Sequence, residues 1–326
     1  MASLLLRTLL PLLASIQGCL VLSSKIVGGR PAIPHSRPYM ISLQLLGSHI
    51  CGGTLIHPQF VMTAAHCVNK MNLQLMMAVA GVHDLKNPEP SWQTFSIQRI
   101  YLNDYNEKYI LNDIALIQLD RPATLNANVQ VAPLPTQGQP LLMGTRCLAM
   151  GWGRLGTQLP IPNILQELNV TVVTFECRRH NICTLAPRQR AGICFGDSGG
   201  PLICQGVVHA VDSFIKGGCA SQRFPDFFAR VALYVDWIKS ILQSVEEEEE
   251  EEWQASGSPV GKAFPWEPPR HQLLGATPPS PSHRLLLHQT GTVGTGTSLE
   301  EFDASSWGGP RATGAMSSPA EAIRGI

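Results

Sequence analysis

The stretch Gly196-Asp197-Ser198-Gly199-Gly200-Pro201, read with Thr63-Ala64-Ala65-His66-Cys67 and Asn112-Asp113-Ile114-Ala115-Leu116, decides what this chain is built to carry. A serine hydroxyl is almost never ionised near neutral pH, so it attacks a carbonyl only when an imidazole takes its proton. Ser198 is the candidate nucleophile and His66 the candidate base. The imidazole must keep one tautomer and tolerate a positive charge, which a buried carboxylate on its far nitrogen arranges. Asp113 is the candidate for that carboxylate. The glycines around Ser198 allow a tight turn that aims two backbone N–H groups, those of Gly196 and Ser198, at one point, as an oxyanion hole requires. One histidine among ten is ordinarily a core or surface residue. The joint occurrence of three long motifs, in this order, is what makes the catalytic reading.

The order His, Asp, Ser separates this arrangement from the subtilisin and α/β-hydrolase orders. It resembles the chymotrypsin family of trypsin-like serine proteases, over residues 26–242, about two thirds of the chain. The resemblance implies an all-β fold of two six-stranded antiparallel β-barrels with a C-terminal α-helix, followed by a disordered tail. The halves would meet near residues 130–140, with His66 and Asp113 on the first and Ser198 on the second. The residues themselves point to all-β structure of sandwich or barrel type, because short apolar runs at 39–46, 54–62, 114–119, 145–152, 166–174 and 201–211 alternate with Gly, Pro and Asn turns. Leu233, Trp237, Ile238, Ile241 and Leu242 recur at helical spacing, which predicts a closing amphipathic helix packed on the core.

Residues 1–23 read as a secretory signal: Arg7, a leucine-rich core, then Ser23 and Ser24. The apolar run is interrupted by Pro11, Gln17 and Gly18 and is short for a membrane span, so no transmembrane segment is expected. Residues 24–25 would be a dipeptide propeptide, 26–245 the protease domain and 246–326 the tail. Ile26-Val27-Gly28-Gly29 supports activation, because in this family such a sequence becomes a new N-terminus whose ammonium pairs with the carboxylate of Asp197. An unpaired buried charge is costly, so pairing would couple cleavage before Ile26 to ordering of the oxyanion hole. Both a dipeptidyl peptidase and a trypsin-like enzyme cutting after Lys25 remain open as the activator.

Once Cys19 leaves with the signal, eight cysteines remain, an even number that in an exported protein implies disulfides, with 105 connectivities open. The resemblance chooses Cys51–Cys67, Cys147–Cys204, Cys177–Cys183 and Cys194–Cys219. Zinc is a poor alternative because no pair has C-x-x-C spacing, and no cofactor or metal is implied. The position after Gly81, where calcium-binding relatives have an acid, is Val82. Asn169-Val170-Thr171 is a glycosylation sequon.

Residues 26–245 hold seventeen Lys and Arg against twelve Asp and Glu, whereas from 246 onward the count is five against twelve. Arg178, Arg179, Arg188, Arg190, Lys216 and Arg223 fall late in the body. They form either a solvated face or a surface for anionic proteoglycan. Seven consecutive glutamates at 246–252, then a stretch rich in Pro, Gly, Ser and Thr, predict disorder. Such a tail could be a removed propeptide, an acidic clamp on the body or translated non-coding sequence; its lack of any motif favours the last.

Within the family, runs such as Pro34-His35-Ser36-Arg37-Pro38-Tyr39-Met40 and Ala191-Gly192-Ile193-Cys194-Phe195 resemble the leukocyte branch that holds proteinase 3 (myeloblastin) and neutrophil elastase. That branch implies a secreted, granule-stored enzyme acting on matrix or microbial proteins and controlled by serpin-type inhibitors; nucleic acid is not among the expected partners. The resemblance makes Gly192 the floor of the primary specificity pocket, so the carboxylate that holds Lys or Arg in trypsin-like relatives is missing there. Ile193, Phe195, Ser213, Phe214, Ile215 and Ile110 would line the cleft, with Asp212 and Asp226 near its rear and Ser213 supporting Asp113. A narrowed apolar slot prefers Val or Ala, by roughly 1–3 kcal/mol per misfit methylene. Ile110 and Lys216 lean towards elastase; Asp212 and the Phe224-Pro225-Asp226-Phe227-Phe228 run lean towards proteinase 3. The rival expectation is a catalytically silent, azurocidin-like heparin-binding antimicrobial protein. Loss of base or nucleophile would mark that class, and His66, Asp113 and Ser198 are all present.

Overall fold

The computed structural model describes residues 26–187 and 190–256. The expected signal and dipeptide, Arg188, and the tail beyond Ser256 lie outside the described residues. The first half supplies β1 (Arg30–Pro31), β2 (Met40–Leu45), β3 (Ser48–His57), β4 (Phe60–Thr63), the single turn α1 (Ala65–Val68), β5 (Met76–Ala80), β6 (Gln93–Leu102) and β7 (Ala115–Leu119). Strands β2-β3-β4-β7-β6-β5 close into an antiparallel barrel filled by aliphatic and aromatic side chains such as Ile41, Leu55, Val61, Phe95 and Ile117.

The second half supplies β8 (Arg146–Gly151), β9 (Gln166–Val173), β10 (Asn181–Leu185), β11 (Pro201–Cys204), β12 (Val207–Phe214) and β13 (Asp226–Arg230). These join in the order β9-β10-β13-β12-β11-β8, and a β8–β9 pairing closes the second six-stranded ring. Strand β1, from the start of the described chain, adds to the outer edge of β9. The all-β, two-barrel expectation therefore holds. The four disulfides form in the expected pairs. Each typically adds about 2–4 kcal/mol by constraining the unfolded chain.

Two apolar runs split where the sequence pattern suggested continuity. Residues 54–62 turn at Pro58-Gln59, so that His57 pairs with Phe60. Residues 201–211 turn at Gln205 and Gly206, both at positive φ (53° and 82°), the backbone a tight hairpin needs.

The closing helix α2 spans Val235–Ser256 and so runs through the glutamates, correcting the expectation that disorder begins at 246. Its first three turns are anchored by Ile238 and Val245, both buried in the core. Glutamate is a good helix former, and extending an existing helix is far easier than starting one. Leu233 lies before the helix, in a 3₁₀ turn, and is exposed, so it does not join the packed face. The described residues through Glu247 belong to one compact unit; a second begins at Glu248, of which the last turns of α2 are the described part.

Candidate active site

The three motif residues come together from separate elements. Asp113 lies two residues before β7, His66 lies on α1, and Ser198 precedes β11. Asp113 is 2 % exposed, and its carboxylate collects three hydrogen bonds. The His66 backbone N–H donates to Oδ1 at 2.9 Å, His66 Nδ1 pairs with Oδ2 at 2.8 Å, and the Ser213 hydroxyl donates to Oδ2 at 2.5 Å. An Nδ1–H held on Oδ2 leaves Nε2, which lies 3.7 Å from Cys67 Sγ, as the proton-accepting nitrogen. Asn112, in left-handed conformation (φ 54°), accepts from the Tyr234 hydroxyl at 3.1 Å, which fixes the backbone that presents Asp113.

The Ser198 turn is docked on the first barrel. Gly52 N–H donates to the Ser198 carbonyl at 2.7 Å. Gly199 sits at φ 79°, and a Cβ there would overlap Thr63 Oγ1 and the Gly52 carbonyl. Gly199 N–H donates to the Asp212 carbonyl at 2.8 Å, joining the same turn to β12. Among the described residues no hydrogen bond links Ser198 Oγ to His66; such contacts are often long without substrate and tighten when it binds.

Gly196, at φ 96°, has its carbonyl held at 2.9 Å by Nε2 of the half-buried His49. The other ring nitrogen of His49 pairs with Ser42 Oγ at 2.9 Å. Burial pushes this imidazole down to about 4, so near neutral pH it is an uncharged hydrogen-bonding strut. Asp197 is 1 % exposed; Gly153 N–H donates to its Oδ1 at 2.7 Å and Cys194 N–H to its Oδ2 at 2.9 Å. Burial pushes the Asp197 carboxyl up to about 7 against the pull of those two donors. A carboxylate in that position is a ready partner for an ammonium. Ile26 is wholly buried in the second barrel, and among the described residues it makes no hydrogen bond to Asp197.

The residues expected to form the primary slot pack closely. A Cβ on Gly192 would stand 2.8 Å from Asp226 Oδ2 and 3.1 Å from Ala220 Cα, so this position tolerates no side chain. Ile193 N–H donates to Asp226 Oδ2 at 3.0 Å. The Cys194–Cys219 bridge ties the segment after Gly192 to the segment that holds Ala220. Ile110 packs on the cluster of Cys183, Phe214 and Phe227, while Ile215 packs against the core of the second barrel. Phe195 is half-buried and its carbonyl accepts from Arg154 N–H at 2.7 Å. Asp212 is raised well above the usual carboxylate range, first by burial and then by Asp197, Asp226 and Asp113, and its Oδ2 has no hydrogen-bond partner.

Burial pushes the Asp226 carboxyl up to about 7 despite the Ile193 N–H, with Asp197 adding to the rise. A carboxyl whose pKa is higher folded than unfolded contributes stability that is full below about 4 and fades as pH rises to about 7. Asparagine keeps an acceptor for Ile193 and cannot ionise. The melting-temperature difference between Asp226→Asn and its parent is therefore expected to move in the variant's favour from pH 4 to 7 and to level off above. A difference constant across that range would show that Asp226 ionises as an ordinary surface acid.

The metal-capable donors found together among the described residues are Cys51, His66 and Cys67. The two sulfurs are joined in a disulfide, and a bridged cystine is not a thiolate ligand. Several supporting groups escaped sequence reasoning: His49, Gly52, Gly153 and the Tyr234–Asn112 pair. Each acts from far along the chain, and only Gly52-Gly53, beside Cys51, carries a local hint as a place where backbones approach closely.

Residues 26–238 match the protein-family profile described as Trypsin. Neutrophil elastase of Mus musculus is 59 % identical over 234 residues, covering 72 % of this chain and 88 % of its own. Azurocidin of Homo sapiens is 45 % identical over 221 residues, covering 67 % and 87 %. Among solved structures, human heparin binding protein superposes with a TM-score of 0.65 at 45 % identity, over 67 % of this chain and 97 % of that one.

Proposed function

Because this chain belongs to the trypsin family of serine proteases, we propose that it is an elastase-like serine endopeptidase that cuts proteins after small aliphatic residues. The Ser213–Asp113–His66 chain of hydrogen bonds carries this reading. His66 Nε2 takes the proton of Ser198 as Oγ attacks the carbonyl carbon, and Asp113 stabilises the imidazolium that results. The negative oxygen of the tetrahedral intermediate is received by the N–H groups of Gly196 and Ser198. The imidazolium then protonates the departing amine, leaving an acyl-enzyme on Ser198. Water, deprotonated by the same imidazole, hydrolyses that ester and restores the serine.

Gly192, Ile193 and Ile215 define an apolar slot for Val or Ala, and the raised pKa of Asp226 keeps a full charge from its floor at mildly acidic pH. Cleavage before Ile26 activates the enzyme by supplying an ammonium to Asp197. Storage in a leukocyte granule, secretion, a glycan on Asn169 and control by serpin-type inhibitors belong to the same reading, supported by the similarity to elastase and azurocidin.

Protein beginning at Ile26 is expected to be labelled by a fluorophosphonate, with labelling abolished in Ser198→Ala, and to cleave a peptide after Val faster than the same peptide with Lys. Absence of labelling would transfer the chain to the silent heparin-binding class; faster cleavage after Lys would overturn the slot assignment.

A further inference from the structure

We propose that His35 and His83 together bind a zinc ion, with Glu89 orienting His35. The site uses none of the groups assigned to catalysis and stands whether or not the peptidase reading does.

The two rings come from separate parts of the first half. His35 lies between β1 and β2 and His83 between β5 and β6, yet their ring centroids are 6.1 Å apart, tilted at 53°. Among the described residues three histidine nitrogens are buried without a hydrogen-bond partner, namely Nδ1 of His35, of His83 and of His209. Two of the three thus belong to one neighbouring pair. His209 is on β12 near the Arg230 cation, which disfavours a metal there. A buried polar atom without a partner is costly, and a metal ion satisfies two imidazole nitrogens at once.

The bonding of His35 sets the chemistry of its inner nitrogen. His35 Nε2 donates to Glu89 Oε2 at 2.7 Å, and in the neutral ring this leaves Nδ1 with a lone pair and no proton. A carboxylate on one ring nitrogen and a metal on the other is the usual support of histidine ligands. The frame is already fixed. Glu89 stands between Pro88 and Pro90, and its carbonyl accepts from Trp92 N–H at 3.0 Å. His35 has φ 55°, in a turn where Ser36 N–H and Oγ both donate to the Ile33 carbonyl. The His83 carbonyl accepts from Leu165 N–H at 2.9 Å and from Trp152 Nε1–H at 3.3 Å. Little backbone freedom then remains to be lost on binding.

The spacing of the rings suits one ion between them. Zinc lies about 2.0–2.1 Å from an imidazole nitrogen, hence about 3.2 Å from the ring centre. Two rings on one ion therefore have centres roughly 4.5–6.4 Å apart for N–Zn–N angles of about 90–180°, and about 5.2 Å at the tetrahedral angle. The observed 6.1 Å falls inside that range. The side chains of His35 and Glu89 are 22 % and 31 % exposed, so water reaches the pair and completes the coordination. Imidazole nitrogens select zinc, copper or nickel, whereas calcium takes oxygen ligands. Asp84 and Glu89 add negative charge beside His83, which favours a cation.

The test titrates zinc chloride into protein beginning at Ile26, with a chromophoric chelator as competitor. One zinc equivalent is expected to be lost in His35→Ala and in His83→Ala, and kept in His180→Ala, an exposed histidine ahead of β10. Glu89→Gln should weaken that equivalent about ten- to hundredfold. Excess calcium should not displace it. Copper(II) in the unsubstituted protein should show electron paramagnetic resonance splitting from two imidazole nitrogens, a readout that needs no variant to fold. Absence of zinc uptake, or a copper spectrum without nitrogen splitting, overturns the proposal. So does zinc uptake that both histidine substitutions leave unchanged, which would assign the ion to other donors such as the glutamates at 246–252.

Discussion

Asp113→Asn is expected to lower kcat about 10⁴-fold with little change in KM, the loss that the same substitution brings in the family's template enzyme. The size follows from what Asp113 accepts. Three donors converge on its carboxylate: the His66 backbone, His66 Nδ1 and the Ser213 hydroxyl. An amide with its oxygen in the Oδ1 position still accepts from the His66 backbone N–H. Its NH₂ then faces His66 Nδ1 and forces the proton to Nε2, where it blocks acceptance of the Ser198 proton. The fold should be unchanged, because side-chain volume and most hydrogen bonds are kept. Steady-state kinetics with matched circular dichroism checks this. A loss below about tenfold would mean that His66 does not depend on Asp113 for its tautomer.

A single residue left ahead of Ile26 is expected to cost about 10²–10³-fold in kcat, the scale of losing one oxyanion-hole donor. Asp197 lies immediately between the two proposed donors, Gly196 and Ser198, and is buried with only backbone N–H partners. Its pKa of about 7 records the cost of charge in that position. An ammonium brought by cleavage offsets that cost and ties the turn down; an amide nitrogen at Ile26 cannot. Measuring turnover of matched proteins beginning at Ile26 and at Lys25 decides the matter, and equal rates would remove Asp197 from the activation step.

Much of this was legible in the sequence because the chemistry is carried by contiguous runs. The Asp197-Ser198-Gly199 and His66-Cys67 segments each hold both a reacting group and the local backbone it requires. Strands with strong apolar runs, such as β9 and β7, were equally plain. The weaker ones were not: β6 alternates Gln93, Ser96, Gln98 and Arg99 with its buried residues, and β13 is five residues hidden behind Pro225. Hairpin turns inside apolar runs were lost because Gln205 at positive φ has no compositional signature. The glutamate run was misjudged because charge repulsion was weighed without the helix that precedes it and its buried Val245. His49, Gly52 and Tyr234 could not be assigned, since their partners lie 147, 146 and 122 positions away.

The carbonyl of the proposed nucleophile is engaged by Gly52, so the opposite barrel supplies part of the scaffold that positions Ser198. No half of this molecule owns the reaction centre. Expressed separately, each half would bring an incomplete set of groups to a surface it had never been selected to expose. Mutational freedom is divided accordingly: Gly52 and Gly199, at the seam between the halves, leave no room for a side chain.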